Sequence, residues 1–491
     1  MAFAFPGGKA LEMEITSGTL ADDRGSPWSL GGSGEGFLAL VLGGSLSLFY
    51  AIVLGVSNGS TAAVLSLPLL AVFLLIQSNY RIALALLIIS IFMNFHVWRY
   101  STAVLFAVPL GLSFLWNYRD IEWKWFKNRL NIPLLAYAVC ALPSLLNASN
   151  PVLSSVLLFN VAAFLVVFYV LIATLRTPED LKRVAGLYLL TAVVNSLVVF
   201  LEFWSTGRRS FGFSWIFFVD YAGLGICVSA AMALVSKGKS RFIMLVVSTV
   251  LVIALVLTQT RGIWLATLVA LAFVGVHALR HPAIMGETRK RIFKTLAIGA
   301  VVILGVATVV VVANPYIEKR ATELGGGAEQ FTEYGSVPNS IISRLLIWDT
   351  ALNAFLANPI IGVGVYGFAS SSHEYADVPS QYYRKYVRDL SPHQTFLAVL
   401  AETGIIGAIG FGVFFFSLLQ TAFRSINRAL DDRGRRYAFV CAMAVIYCAV
   451  SMFITDAWLW GQQIVLLGIV AGSMIANGKI SGPTGETGTS A

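Results

Sequence analysis

Charge is scarce in this sequence. Asp, Glu, Lys and Arg make up 12% of its 491 residues, about half the share in a soluble domain. Hydrophobic residues make up 57%, and mean hydropathy is +0.78. This balance excludes a soluble globular enzyme and points to an integral membrane protein. Cysteine is also rare: Cys140, Cys227, Cys441 and Cys448 all lie in apolar runs. No pair has metal-ligand spacing or sits in an exposed loop, so they read as small buried hydrophobes. The five histidines, His96, His277, His281, His373 and His393, have no metal-ligand spacing either. No P-loop is present. The net charge of +9 would suit nucleic acid, but the basic residues fall in short clusters between apolar runs. That is the pattern of a membrane protein's inner loops, and it excludes a nucleic-acid partner.

What the chain does have is long apolar runs. Crossing the hydrocarbon core takes roughly 20 apolar residues in a helix. Runs of that order lie near 37–57, 61–77, 80–96, 101–117, 131–147, 152–175, 184–204, 212–236, 242–259, 262–280, 294–314, 395–422, 437–455 and 458–476. The fold class expected is an all-α polytopic membrane protein with about 14 transmembrane helices, in the range of about 12 to 14. The runs are long and lack polar alternation, which argues against strands. Residues 1–36 are rich in Gly and Ser, carry Glu12, Glu14, Asp22, Asp23 and Glu35, and lack the basic start and apolar core of a signal peptide. They read as a disordered cytoplasmic tail, and 477–491 as a second one. Between them lie a bundle over 37–314, a long loop over 315–392, and C-terminal helices over 393–476.

Loop charge sets the orientation. Basic residues crowd 117–130, 176–183, Lys237 to Arg241, Arg289 to Lys294 and Arg424 to Arg436. Nearly uncharged connections, such as NASNP at 147–151, alternate with them. One arrangement satisfies them all: both tails cytoplasmic and the basic turns inside. Few basic residues then fall in short outer loops: Arg99, Arg208, Arg209 and Arg261. The outer segment 315–392 is long enough to be functional. Its stretch SIISRLLIWDTALNAFLA at 340–357 places Ile341, Leu345, Leu352 and Phe355/Leu356 on one helical face, which predicts an amphipathic helix on the bundle or at the interface. Asn358-Pro359 stops it and the glycine-rich IIGVGVYGF follows. Tyr316, Tyr334, Trp348, Tyr366, Tyr375, Tyr382, Tyr383 and Tyr386 supply flat faces with polar tips.

Several residues here can do chemistry. Ser391 suits an N-cap and Pro392 the first helical position, which places His393 in the first turn at the outer surface. A helix N-terminus disfavours imidazolium, and a neutral imidazole can act as a general base or a capping partner. Arg261, in LVLTQTRGIWL, sits between two apolar runs and needs a partner, either a structural acid or a bound anion. Arg208 and Arg209, adjacent in STGRRSFGF, raise the same question. Arg344 lies on the loop helix, where a solvated face is the ordinary reading. Glu402 follows His393 by nine residues, roughly on the opposite face and about 13 Å along the helix. It reads as a hydrogen-bonded support facing the bundle interior, and Gly404, Gly407 and Gly410 as sites of tight helix packing.

RLLIWDTALNAFLANPIIGVGVYGF at 344–368, followed by PHQTFLAVLAETGIIG at 392–407, resembles the O-antigen ligase and O-antigen polymerase family. That pattern is an Arg and Trp before a PxxGxG turn, then a His and an ExGxxG helix. TQTRG at 258–262 and RSFGF at 209–213 are similar to the family's two arginine motifs. The resemblance covers roughly 195–420. It departs from the pattern at His393-Gln394, where His-Asn is usual. It departs again at Val219-Asp220-Tyr221, where an Asn-Pro-Asn-like turn is usual, and in the number of helices.

The resemblance implies an inner-membrane glycosyltransferase, metal-independent and inverting, that needs no cofactor. It would move a glycan from polyprenyl (undecaprenyl) diphosphate to an acceptor at the periplasmic face. It would serve as a polysaccharide or O-antigen polymerase, or as a ligase acting on lipid A core. The partners implied are a lipid-linked oligosaccharide donor, a glycan or lipid A core acceptor, and membrane lipids. In these terms His393, Arg261 and Arg209 are the catalytic candidates. Arg208, Arg344, Trp348 and Tyr366 would hold diphosphate or sugar, and Glu402, Gly404 and Gly407 would support the helix; no residue is assigned to a metal. A transporter or flippase of lipid-linked glycans is the second alternative. It would call for an internal repeat and charges near mid-bilayer, and the candidate charges gather at one face instead.

Overall fold

The computed structural model describes residues 80–92, 96–97, 100–116, 126–148, 151–207, 209–312, 339–456 and 461–481. The expected spans near 37–57 and 61–77, the N-terminal tail, residues 482–491 of the C-terminal one, and Tyr316 and Tyr334 lie outside them; residues 477–480, expected in that tail, are instead helical. The described chain is helical apart from a minimal antiparallel ladder, His96–Val97 with Tyr100–Ser101.

The helices that follow the apolar runs are α1 (Tyr80–Ile91), α2 (Thr102–Trp116), α3 (Asn131–Ala141), α4 (Pro151–Thr174), α5 (Pro178–Thr206), α6 (Phe218–Val235), α7 (Gly238–Leu257), α8 (Arg261–Arg280), the single turn α9 (Pro282–Met285) and α10 (Arg289–Val312). The segment between the bundle halves contributes α11 (Asn339–Ala357), α12 (Phe368–Tyr375) and α13 (Ser380–Tyr386). The chain returns through α14 (Thr395–Arg428), α15 (Asp432–Ser451) and α16 (Gly461–Ile480). Among the described residues six helices are long and apolar enough to cross a membrane: α5, α6, α7, α8, α14 and α16.

Burial shows how they are arranged. α6 and α16 are buried along nearly their whole length. α16 packs along α4, and α6 against α7 and α15. The peripheral spans turn apolar side chains outward instead. Leu190, Val194, Leu197 and Leu201 form an exposed stripe on α5, as do Leu265, Leu268, Phe273 and Val276 on α8. Contiguous exposed apolar stripes of this kind suit a lipid boundary and would be a liability in water. The chain is a membrane protein by this criterion as well as by composition.

The helix ends follow local rules. Thr177 and Asp180 close a capping box at the start of α5, and Gly207 ends that helix in the left-handed conformation. α11 forms where an amphipathic helix on the bundle or at the interface is expected. Its buried residues are Ile347, Thr350, Ala351 and Ala354, while Leu345, Leu352 and Leu356 are exposed. The small alanines let the helix lie close on α14, where they join Val363, Phe368, Tyr386 and Ala401 in a second apolar cluster. The leucines point away from it.

One junction fixes the geometry near the site. α14 is broken at Gly404, whose φ of 63° and ψ of −166° are not helical. The turn 358–364 lodges in the break. Val363 and Gly364 donate to the carbonyls of Ala401 and Glu402, each at 3.0 Å, and Ile405 donates to the carbonyl of Pro359 at 2.9 Å. A methyl group at Gly404 would come 2.4 Å from the Ile360 carbonyl carbon. One at Gly362, where φ is +71°, would come 2.3 Å from that of Glu402. Both glycines are therefore required twice, by dihedral and by space. Gly410 lets the α3 backbone approach, with a Cβ there only 2.6 Å from Cys140 Cβ, and Gly407 accommodates Thr403. Gly362→Ala and Gly404→Ala are each expected to lower stability by about 1–3 kcal/mol, read as a fall in detergent melting temperature. Gly412→Ala, with open space around it, is the control and should not shift the transition.

Candidate functional site

All the candidate side chains that the structure describes lie at the end of the bundle where α5, α7 and α15 finish and α6, α8, α14 and α16 begin. The first component is the reversal between α7 and α8. Thr258, Gln259 and Thr260 turn the chain in three residues, with Gln259 at φ +53°. Trp264 Nε1 donates to Leu255 O at 2.9 Å and closes the turn from below. Arg261 opens α8 directly after it.

Arg209 reaches this turn from a different part of the chain. Its Nε donates to Thr258 O at 2.7 Å, its Nη2 donates to Thr260 Oγ1 at 2.9 Å, and its guanidinium stacks over Phe211 at 4.4 Å. The loop carrying it is pinned to α5: Phe213 N donates to Asn195 Oδ1 at 2.8 Å and Gly212 N to Glu202 Oε2 at 3.0 Å. Arg209 is thus held on the turn that leads directly into Arg261. Arg344 joins them from α11. A methyl at Gly262 would lie 3.5 Å from Arg344 Nη2, so this guanidinium rests against the first turn of α8. Burial pulls Arg344 below the usual arginine range and the nearby Asp456 draws it back. Arginine keeps its charge regardless. Arg208 lies outside the described residues.

His393 is not in the helix. The N-cap is Gln394, whose side chain accepts from Leu397 N, and α14 starts at Thr395. The expectation that Ser391 caps and Pro392 begins the helix is corrected here. The glutamine side chain supplies the capping oxygen instead, two residues after Pro392. His393 takes the left-handed conformation, φ +52°, which costs about 1–2 kcal/mol in a non-glycine residue. Contacts on both sides hold it there. Trp348 Nε1 donates to Pro392 O at 3.0 Å, Thr395 N to Met452 O at 2.9 Å, and Thr395 Oγ1 to Thr455 O at 2.6 Å.

Those last contacts bring up Asp456, a residue that sequence reasoning missed. Its Oδ1 lies 3.7 Å from His393 Nδ1, and the two side chains are 6% and 41% exposed respectively. The separation is that of an ion pair and exceeds hydrogen-bond length. The exposure decides the geometry: the imidazole is open to an incoming group and the aspartate stands behind it. Burial alone would raise the Asp456 carboxyl, but interactions with His393 and Ser391 outweigh it and hold the group below its ordinary value. A signal was available in sequence. Asp456 is a lone acid between two apolar runs, like Arg261 but of opposite sign.

Glu402 is buried away from this surface. Its Oε2 accepts from Tyr366 N at 3.0 Å, and the carboxyl also accepts from Phe368 N. It binds amides at the start of α12, a favourable place for an acid. Tyr366 itself sits at φ +56°, half-buried, with its hydroxyl accepting from Asn160 Nδ2 at 2.8 Å. Trp348 spends its indole N–H on Pro392. The structure therefore gathers His393, Arg209, Arg261 and Arg344 with Asp456. It places Trp348, Tyr366, Glu402, Gly404 and Gly407 in the framework around them.

This framework falls within a stretch similar to a known family: residues 243–412 match the O-antigen ligase family. The matched stretch takes in Arg261, Arg344, Trp348, Tyr366, His393 and Glu402, and leaves out Arg209, Asp220 and Asp456. A search of curated proteins finds no match to the chain. The O-antigen ligase family implies membrane glycan transfer of ligase or polymerase type, with a lipid-linked glycan donor and a glycan acceptor.

The depressed carboxyl of Asp456 has a signed consequence. A group whose folded-state value is lowered stabilises fully above its unfolded value and loses that contribution as pH falls through the folded one. The melting temperature of the wild type should exceed that of Asp456→Asn at neutral pH, and the two should converge below the ordinary aspartate range. A gap that persists unchanged into acid would contradict the pairing with His393.

Proposed function

We propose that this protein is an inverting, metal-independent glycosyltransferase of the bacterial inner membrane that works as a polysaccharide or O-antigen polymerase. The orientation follows from charge. The turns and first helical turns at the end opposite the site carry Arg176, Lys182, Arg183, Lys237, Lys239, Arg433 and Arg435. Placing them in the cytoplasm puts the site in the periplasm, with α11 to α13 forming part of a periplasmic loop and with about 14 spans in the whole chain.

The observation that carries the reading is the convergence at one end of the bundle. A half-exposed histidine backed by a buried aspartate lies at the same end of the bundle as three arginines from three separate elements. The donor is a glycan on polyprenyl diphosphate. Its diphosphate lies on Arg209, Arg261 and Arg344, whose planar forks match phosphate oxygens. Asp456 faces Nδ1 of His393 and so favours the tautomer with its proton there, leaving Nε2 as the base. Nε2 takes the proton of the acceptor hydroxyl as its oxygen bonds to the anomeric carbon. The bond from that carbon to the phosphate oxygen breaks, and polyprenyl diphosphate leaves with the electron pair. The arginines neutralise the charge that grows on it. Attack opposite the leaving group inverts the anomeric centre. The proton then passes from His393 to solvent. Transfer to lipid A core instead of a second lipid-linked repeat would use the same steps.

Purified protein should elongate a polyprenyl-diphosphate-linked repeat in vitro. His393→Ala should lower turnover by about 10²- to 10⁴-fold, the contribution typical of a general base. Arg261→Ala should weaken donor use, with Arg261→Lys recovering only part of it because the fork is lost. Full turnover in His393→Ala would overturn the base assignment. Lipid A core accepted in place of the repeat would make the protein a ligase.

A further inference from the structure

The site rests on two arms that the domain match does not cover, and one buried contact joins them. The first arm is the loop bearing Arg209, which runs through a 3₁₀ turn, Gly212–Phe217, into α6. The second is the turn 452–456, which bears Asp456 and precedes α16. Asp220, in the first turn of α6, accepts a hydrogen bond on Oδ2 from Nε2 of Gln463, in the first turn of α16. Both residues are buried. Further along α6, Gly223 lies three residues from Asp220, on the same helical face. The hydroxyl of Tyr447 from α15 fills the space where a Cβ of Gly223 would stand.

A carboxyl inside a membrane bundle is costly and persists where it has a task. Here it joins the two helices, α6 and α16, that follow the two arms. Asp220 Oδ1 and Gln463 Oε1 have no hydrogen-bond partner among the described residues. Removing either partner therefore leaves the other's side chain without a hydrogen bond among the described residues.

We propose that Asp220 is a positioning residue whose hydrogen bond from Gln463 holds the Arg209 arm and the Asp456 arm in register. It touches neither donor nor acceptor. It acts by setting where Asp456 stands behind His393 relative to the arginines on the α7–α8 turn. Arg209 has its own anchors on Thr258 and Thr260, so loss of the clamp displaces the base side and spares the diphosphate side. The kinetic part of this inference rests on the glycan-transfer reading; the structural part does not.

Two experiments test it. The first needs no turnover. Spin labels at Phe213 and Phe453, both exposed, replace one side chain on each arm. The wild-type background should give a narrow distance distribution by double electron–electron resonance. Asp220→Leu should broaden it, and Asp220→Asn, which still accepts from Gln463, should keep it narrow. The second is transfer with the polyprenyl-diphosphate-linked repeat. Asp220→Leu should lower kcat by about 10- to 100-fold, the scale of an ångström-sized misplacement, with donor KM nearly unchanged. Asp220→Asn should retain most of the activity. Adding Asp220→Leu to Asp456→Asn should cost little more than Asp456→Asn alone, since both act through one group.

Where Asp220→Leu fails to accumulate, Gln463→Met removes the same hydrogen bond at similar volume and carries the same expectations. Unbroadened distances in the Leu variant overturn the clamp whether or not the protein transfers glycan. So does an Asn variant as impaired as the Leu variant, or a loss fully additive with Asp456→Asn. Wild-type protein inactive on the repeat and on lipid A core, with a narrow distribution that broadens in Asp220→Leu, overturns the transfer reading and leaves the clamp supported.

Discussion

The insertion of a glycine turn into a broken helix governs this end of the molecule. An unbroken α14 would satisfy its own amides through Gly404 and offer nothing to its neighbours. The break frees the carbonyls of Ala401 and Glu402, and the amides of Val363 and Gly364 take them. Backbone polar groups cannot stay unpaired at membrane depth. The turn and the helix therefore complete one another, and neither geometry is stable alone. The same junction lets the Glu402 carboxyl accept from the amides of Tyr366 and Phe368. α11, α12 and the first half of α14 are in this way joined into a single block, and His393 hangs from its edge.

The block explains why strain gathers where it does. Gln259, Tyr366 and His393 all have positive φ, and each lies beside a residue or contact that the site uses. Such conformations persist only when the surroundings over-determine them. For His393 the surroundings are Trp348 on one side and the 452–456 turn on the other. For Gln259 they are the Arg209 anchors and the Trp264 indole. The Trp348 indole fastens backbone by donating to the Pro392 carbonyl. A polar residue in the frame thus serves chemistry by fixing a neighbour, a division of labour also argued for Asp220 and Gln463.

Electrostatics follows from the packing. Three guanidiniums at one end of an apolar bundle would repel one another without anions to share. Asp456 supplies one, within reach of Arg344 and His393. Its burial keeps it from bulk water, so its influence on both is weakly screened. An anionic diphosphate suits the remainder of that positive field.

The sequence by itself determined the class of protein and most of its helices. Apolar runs of spanning length report their own burial in lipid, because each residue's partition is local and additive. The motif residues His393, Arg261 and Glu402 could be picked out by being polar where apolar residues were the rule. The buried face of α11 could not be read, since Ala351 and Ala354 are chosen for closeness of approach and not for hydrophobicity. The start of α14 was misplaced because two capping residues competed and only the contacts to Met452 and Thr455 decide between them. Only the tertiary structure put Asp456 behind His393, Arg209 on the Thr258–Thr260 turn and Asp220 against Gln463. These partners are separated by tens to hundreds of residues. A pairing of that kind leaves no periodic trace in the chain, because it depends on how whole helices stack and not on what any one of them contains.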